Sequence, residues 1–289
     1  MDLDIVELLK SFPLTEEEQK IVVLPSDVKP RHPLDNGIYV LGRVLNRRRV
    51  NPDAFARSIR PAFDCFQPLN IKFLSRNKFL FRFTHPGDVN RVLNAAPWHY
   101  DRHLLVLQKM EEDQWLGDVV LDFCPFYVQI HNLPYLSYPQ EIPKLVGDMI
   151  GKFIRADLSP QGLSIDASLR LRVAIDVKHP LVRVVKLEFS DGKVFTGFVK
   201  YEKLPVFCSD CGLLDHISED CDSGSTSRGM ISAPVEYGSW LRAKPPKALG
   251  SSANRRIRSS QYGGKFAPAG SDEEEGPAFR DVFLDNDQV

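Results

Sequence analysis

Four metal-ligating side chains lie within fourteen residues of this chain, at the spacing Cys208-x2-Cys211-x4-His216-x4-Cys221. Three thiolates and one imidazole are enough to close a tetrahedral Cys₃His site around Zn²⁺. Because four protein ligands leave no open position for water, the spacing predicts one structural zinc ion rather than a hydrolytic one. Gly212 permits the reversal of the backbone between the ligands. The alternative is a chance cluster in a flexible tail, but clustered Cys and His at ligand spacing are typical of zinc sites.

An ordered alternation of strand and helix patterns precedes this cluster. Residues 37–110 contain apolar-rich strand segments at IYVLGRVL, LNIKFL, KFLFRFT and HLLVLQKM, and helical segments at NPDAFARSIRPAF and HPGDVNRVLNAAP. Asn51 is placed to cap the first helix, and Pro52 suits its first position. The resulting β-α-β-β-α-β order is that of the ferredoxin-like unit on which RNA recognition motifs are built. We therefore predict an α+β protein with an RNA-recognition-motif-like domain at residues 37–110.

The remaining segments differ in character. Residues 1–36 are predicted to form a helical arm, in which Thr15 and Glu18 have capping-box spacing. Residues 119–206 form a sheet-rich segment with one helix and a hairpin through Asp191 and Gly192. Residues 207–222 are the zinc knuckle. Residues 223–289 are rich in Ser, Gly, Pro and charge, which predicts a mostly disordered tail, except that VEYGSWLRA at 235–243 carries apolar anchors suited to docking.

The N-terminus and the cysteines both indicate the cellular compartment. MDLDIVELLKSF opens with acidic residues rather than with a positive signal-peptide region. Five cysteines is an odd number, and Cys65 and Cys124 lie in apolar surroundings, where a free thiol behaves as a small hydrophobe. No apolar run approaches the roughly 18 residues of a membrane span. We expect an intracellular protein without membrane contact, and the runs NRRR and NRRIR favour the nucleus.

The quoted motifs resemble a known plant family. YEKLPVFCSDCGLLDHISEDC is similar to the CCHC zinc knuckle that ends plant proteins related to gag-like proteins of non-LTR (LINE-type) retrotransposons. VLGRVLNRRRVNPDAFARSIRPAF, VQIHNLP, IGKFIRADL and YGSWLRA resemble the domain of unknown function paired with that knuckle. The resemblance covers about residues 14–243. It implies nucleic-acid binding, with zinc ligands at Cys208, Cys211, His216 and Cys221.

The charge of the chain is unevenly distributed although its net value is only -1. Residues 38–110 contain 13 Lys and Arg against 4 Asp and Glu. Such a basic segment supplies phosphate contacts and makes affinity depend on salt. The predicted nucleic-acid-binding residues are Arg43, Arg47, Arg48, Arg49, Arg76 and Lys78. The alternative is a solvated basic face whose arginines pack their stems or pair with Asp53 or Asp88.

The knuckle has the opposite charge, with 5 acidic residues and no Lys or Arg in residues 207–222. Zinc-bound thiolates add to that charge, so the site cannot gain affinity for phosphates by counterion release. The favourable contact that remains is apolar packing or stacking on a base by Phe207, Leu213 or Leu214. We therefore expect the knuckle to be a structural cap or a protein contact; nucleic-acid binding, common among knuckles, is the alternative.

The strand KFLFRF places Phe79, Phe81 and Phe83 on one face by its period of two. They are predicted to be the core face beneath the two helices, because helices need apolar partners. The alternative is base stacking, as on the aromatic strands of RNA recognition motifs.

No Walker-type phosphate loop, Gly-x-Ser-x-Gly elbow or His-Glu-x-x-His motif occurs in the sequence. We expect a non-enzymatic protein that binds single-stranded RNA or DNA with little sequence preference. The alternative is a protein-interaction adaptor that uses the acidic knuckle and the tail.

Overall fold

Residues 38–109 form a five-stranded sheet with two helices on one face. This computed structural model describes residues 12–23, 25, 37–111, 114–134, 141–158, 168–222 and 236–246. The elements follow in the order β1 Ile38–Val44, α1 Pro52–Phe63, β2 Asn70–Phe73, β3 Lys78–Phe83, α2 Pro86–Asn94, β4 Trp98–Tyr100 and β5 His103–Lys109. The strand order is β2-β3-β1-β5-β4, and every neighbouring pair is antiparallel. The sequence predicted each of these elements except the short strand β4.

Local sequence signals explain where the two helices begin and end. The side chain of Asn51 accepts hydrogen bonds from the backbone N–H groups of Asp53 at 3.0 Å and Ala54 at 3.1 Å, as predicted for an N-cap. Helix α1 ends at Asp64, which adopts a left-handed conformation with φ 44°. Helix α2 is capped by His85, whose Nδ1 accepts from the backbone N–H of Gly87 at 3.1 Å.

The two helices cover a core rich in phenylalanine. Phe79, Phe81 and Phe83 are each at most 2% exposed, and Phe55 of α1 stacks on Phe79 with ring centroids 3.8 Å apart. Phe63 packs against Phe81 at 5.6 Å. The prediction that the β3 rings form the core face is therefore confirmed, and these three rings are not available to stack on bases.

A second, six-stranded sheet follows. It contains β6 Phe123–His131, helix α3 Glu141–Ile150, and strands β7 Lys152–Ala156, β8 Leu169–Asp176, β9 Val184–Glu188, β10 Val194–Glu202 and β11 Arg242–Ala243. The strand order is β11-β10-β6-β8-β7, with β9 paired to β10. β9 and β10 form the antiparallel hairpin that was predicted through Asp191 and Gly192. β6 begins at Phe123, because its pairing with β8 continues past Pro125.

The two sheets share a hydrophobic core. The face of the first sheet that carries no helix buries Leu41 and Val106 in the same cluster as Phe126, Val128 and Leu171 of the second sheet. Leu80 of β3 is partly buried and packs against this cluster. The second sheet therefore covers the part of the helix-free face around β1 and β5.

An ion-pair network crosses the polar side of the second sheet. The guanidinium of Arg170 makes two hydrogen bonds to the Glu202 carboxylate, at 2.7 and 2.8 Å, and also bonds to Asp157. Gln129 donates to Glu202 at 2.7 Å and to the backbone carbonyl of Lys244 at 2.9 Å. These contacts connect β8 and β10 and hold the chain after β11 against the sheet. Glu202 is only 3% exposed, so its charge depends on Arg170 for compensation.

The ends of the chain are only partly described. Thr15 and Glu18 form the predicted capping box, in which the Thr15 backbone N–H donates to Glu18 at 2.8 Å, but only a turn follows over residues 16–19. Most of the helical arm predicted for residues 1–36 and of the tail predicted for 223–289 lies outside the described residues, which there comprise only 12–23, 25 and 236–246. Across the described residues, every helix is too short or too polar to cross a membrane.

Candidate metal centre and nucleic-acid interface

The four predicted zinc ligands converge at one point. The ligand atoms of Cys208, Cys211, His216 and Cys221 all lie within 4.8 Å of one another. The Sγ of Cys211 lies 3.4 Å from Nε2 of His216, close to the edge of a tetrahedron with zinc bonds of about 2.0 to 2.3 Å. A soft sulfur-rich donor set with one imidazole fits Zn²⁺, and the site therefore holds one structural zinc ion.

Local backbone contacts build this centre. The backbone N–H of Gly212 donates to the Cys208 carbonyl at 2.9 Å, and the N–H of Cys208 donates to the Leu213 carbonyl at 2.9 Å. Gly212 has φ +76°, in the left-handed region that favours glycine. In the metal-free chain, burial raises the pKa of the Cys211 thiol to about 12. Zinc must therefore displace a proton from this sulfur when it binds.

Asp215 orients the histidine ligand. Its carboxylate lies 2.6 Å from Nδ1 of His216, which fixes the ring and leaves Nε2 to face the metal. His216 is 3% exposed, so the orientation is set inside the protein. The sequence showed Asp215 only as one of five acids, and its role as a support for the ligand was missed.

The segment after the knuckle docks on the same chain. Tyr237 and Leu241 are buried, and a Cβ at Gly212 would lie 2.4 Å from the Tyr237 ring. The guanidinium of Arg183 lies 4.8 Å from the centre of the same ring. The apolar anchors of YGSWLRA therefore fasten the knuckle to the second sheet, and of these anchors Trp240 is the exposed one, at 44%.

The predicted basic residues do not lie on one common surface. Arg47 and Arg48 face the knuckle: Arg47 Nη1 lies 3.0 Å from an Asp222 carboxylate oxygen, and Arg48 Nη2 lies 3.3 Å from one of Asp220. Arg47 Nη1 also donates to the Asp220 carbonyl at 2.6 Å. The acidic knuckle and the basic segment thus pair with each other within the chain.

Arg43 and Lys78 lie together on the helix-free face of the first sheet. They are cross-strand partners in the β1–β3 pair, which places their side chains on the same face. Lys72 and Arg82, which were not among the predicted contacts, lie on this face as well, since Lys72 is opposite Leu80 and Arg82 is opposite Tyr39. In β3, Arg82 alternates with the buried phenylalanines, and this period of two is the sequence signal for its position.

The other two predicted residues lie in the turn before β3 and on the helix side of β2. Arg76 is in the turn between β2 and β3, where it has φ 46°. Arg49 lies over the ring of Phe73 on the helix side of β2, with its guanidinium carbon 6.0 Å from the ring centre. The surface formed by Arg43, Lys72, Lys78 and Arg82 is called the basic sheet face below.

Comparison with known families gives matches to two separate parts of the chain. Residues 37–114 match a family described as a domain of unknown function, DUF4283, and residues 175–223 match a family described as a zinc knuckle. An uncharacterized protein of Arabidopsis thaliana is 23% identical over 134 residues, which cover 46% of this chain and 42% of that relative. The predicted relation to retrotransposon gag-like proteins stays a prediction. The chain contains a DUF4283 domain and a CCHC zinc knuckle.

Proposed function

We propose that this protein binds single-stranded RNA or DNA through the basic sheet face, with little sequence preference. The observation that carries the proposal is the charge of three neighbouring strands. β1, β2 and β3 contain no Asp or Glu, and their cations Arg43, Lys72, Lys78 and Arg82 all fall on the face without helices. Arg43 and Lys78 are directly opposite each other, which places their Cβ atoms about 5 Å apart, so the part of this face that the second sheet leaves open is positively charged.

The arrangement of the sheet supports the same function. Strand order β2-β3-β1-β5 with both helices on one face is the arrangement we propose to be RNA-recognition-motif-like. Such motifs bind RNA on the helix-free face, where aromatic rings stack on bases. Here Tyr39 is only 7% exposed, and the β3 phenylalanines lie beneath the helices. Binding would therefore depend on phosphate contacts, which carry no sequence information.

The adaptor alternative has less surface than the sequence suggested. Asp215, Asp220 and Asp222 already contact Arg47 and Arg48 of the same chain. Tyr237 and Leu241 are buried on the second sheet. We therefore favour a non-enzymatic, intracellular nucleic-acid-binding protein of gag-like type, with the nucleus as the preferred location, over an adaptor.

A charge-matched pair of variants tests the proposal. The first replaces Arg43, Lys72 and Lys78 by Ala; the control replaces three exposed cations on other surfaces, Arg57, Lys109 and Lys186. Fluorescence anisotropy with a labelled single-stranded RNA is measured on the full, zinc-loaded chain. We expect the first variant to lose most of its affinity and the salt dependence to flatten by about two units of slope, at about 0.7 per phosphate contact. Equal losses in both variants would contradict a defined binding face.

A further inference from the structure

We infer that Arg47 and Arg48 form a second phosphate-binding site, which the carboxylates of the knuckle occupy in this conformation. Nucleic acid and the acidic knuckle would then compete for the same two guanidinium groups. The inference rests on the proposed function, because it concerns the strand that the basic sheet face holds. It also gives a role to three of the five acidic residues of the knuckle, Asp215, Asp220 and Asp222.

Arg47 makes contacts like those that an arginine makes to a phosphate group. Its Nη1 bonds to the Asp220 carbonyl at 2.6 Å and to the Asp222 carboxylate at 3.0 Å, and its Nε lies 3.8 Å from Asp215. Several oxygens are thus gathered around one planar guanidinium. Because carboxylate and phosphate oxygens suit the same donor geometry, a phosphate can replace them.

Arg48 is held more loosely. Its Nη2 lies 3.3 and 3.4 Å from the two carboxylate oxygens of Asp220, and its side chain is 75% exposed. The Asp222 side chain is 89% exposed. Exposed ion pairs of this kind contribute little to stability, so a strand with many phosphates can displace them without unfolding the knuckle.

Side chains do not fill the space between the first sheet and the knuckle. A cavity of about 220 Å³ lies between the first sheet and the knuckle, lined by Arg47, Arg48, Arg102 and His103 on one side and by His216 and Asp220 on the other. Tyr237, Leu241 and Leu214 fasten the knuckle from another direction, to the core of the second sheet. The arginines can therefore exchange partners while the knuckle keeps its place.

Two double variants of equal charge separate this competition from general electrostatics. Asp220→Asn with Asp222→Asn removes carboxylates that contact the arginines. Asp210→Asn with Glu219→Gln is the control, since both acids are exposed and form no ion pair within the described part of the chain. Both doubles change the charge of the knuckle by the same amount, and both leave Asp215 and the four ligands intact. Zinc content is measured for each.

Binding of a labelled single-stranded RNA is then measured over a salt series on the full zinc-loaded chain. We expect the Asp220/Asp222 double to bind about two- to fivefold more tightly than the wild type, the gain from losing an exposed ion pair. Its salt dependence should steepen by about 0.7, because Arg48 loses its carboxylate partner while Arg47 keeps its bond to the Asp220 carbonyl, whereas the control keeps the wild-type slope. Adding Arg47→Ala and Arg48→Ala should remove the gain.

The outcomes distinguish this inference from the proposed function. Equal affinities of the two doubles, or a gain that persists without the arginines, would overturn the second site while leaving the basic sheet face in place. Binding by the Asp220/Asp222 double alone, with none by the wild type, would support the second site and overturn the sheet face. If no variant binds, both proposals are wrong.

Discussion

The guanidinium of Arg47 lies 3.8 Å from the carboxylate of Asp215. The basic segment of the first sheet therefore lies close to the residue that orients the zinc ligand His216. Asp215 in turn holds His216 through the contact to Nδ1 at 2.6 Å. Arg47, Asp215 and His216 therefore connect the basic segment to the metal centre through successive contacts.

Asp215→Ala should weaken zinc binding by about 10- to 100-fold, because the His216 ring loses the partner that orients it. The measurement is a zinc competition titration against a chelator of known affinity. Asp210→Ala is the control, since Asp210 is exposed and is not a partner of His216. Equal zinc affinities of the two variants would show that Asp215 does not support the ligand.

Gly212→Ala should destabilise the knuckle by about 2 kcal/mol, through overpacking against Tyr237 and the unfavourable positive φ. The effect is read from thermal unfolding of the zinc-loaded chain. Gly117→Ala is the matched control, because a Cβ at Gly117 meets nothing within 4 Å. A Gly212 variant as stable as the control would mean that the Tyr237 ring can move aside.

Chelation of zinc should release the knuckle together with the segment that is docked on it. Tyr237 packs on Gly212, and β11 pairs with the end of β10 at Tyr201 and Glu202. Hydrogen exchange should then show lost protection in residues 208–221 and at Leu241, with β1 and β3 unchanged. If protection is lost evenly across both sheets, the zinc site stabilises the whole fold and not only the knuckle.

Glu202→Gln should cost about 3 kcal/mol, because it leaves the Arg170 guanidinium partly buried with reduced compensation. The free energy of unfolding is obtained from urea denaturation. The control is Glu188→Gln on β9, where the side chain is exposed and the change should stay within about 0.5 kcal/mol. Similar values for both variants would show that Asp157 alone is sufficient to compensate Arg170.

Local signals in the sequence predicted much of this fold. Asn51 and Pro52 marked the start of α1, and the alternation in KFLFRF indicated which face of β3 is buried. These features depend on neighbouring residues, so they can be read along the chain. β4 was missed because three residues beside a proline carry too little pattern, and β11 because two residues gain their pairing only from β10.

The zinc ligands were also predictable, since all four lie close together in sequence. The partners of Arg47 and Arg48 were not, because about 170 residues separate them from Asp220 and Asp222. Charge totals indicated that the two segments have opposite signs, but only the tertiary packing shows that they meet. The same holds for Lys72 and Arg82, whose position beside Arg43 and Lys78 depends on strand register.

The central claim is that the basic sheet face binds nucleic acid by contacts to phosphates. Its most direct test is the affinity of the wild-type, zinc-loaded chain for a labelled single-stranded RNA, measured by anisotropy across a salt series. Four contacting cations predict a plot of log affinity against log salt with a slope of about -3. Binding that is absent at low salt, or that does not change with salt, would contradict the account.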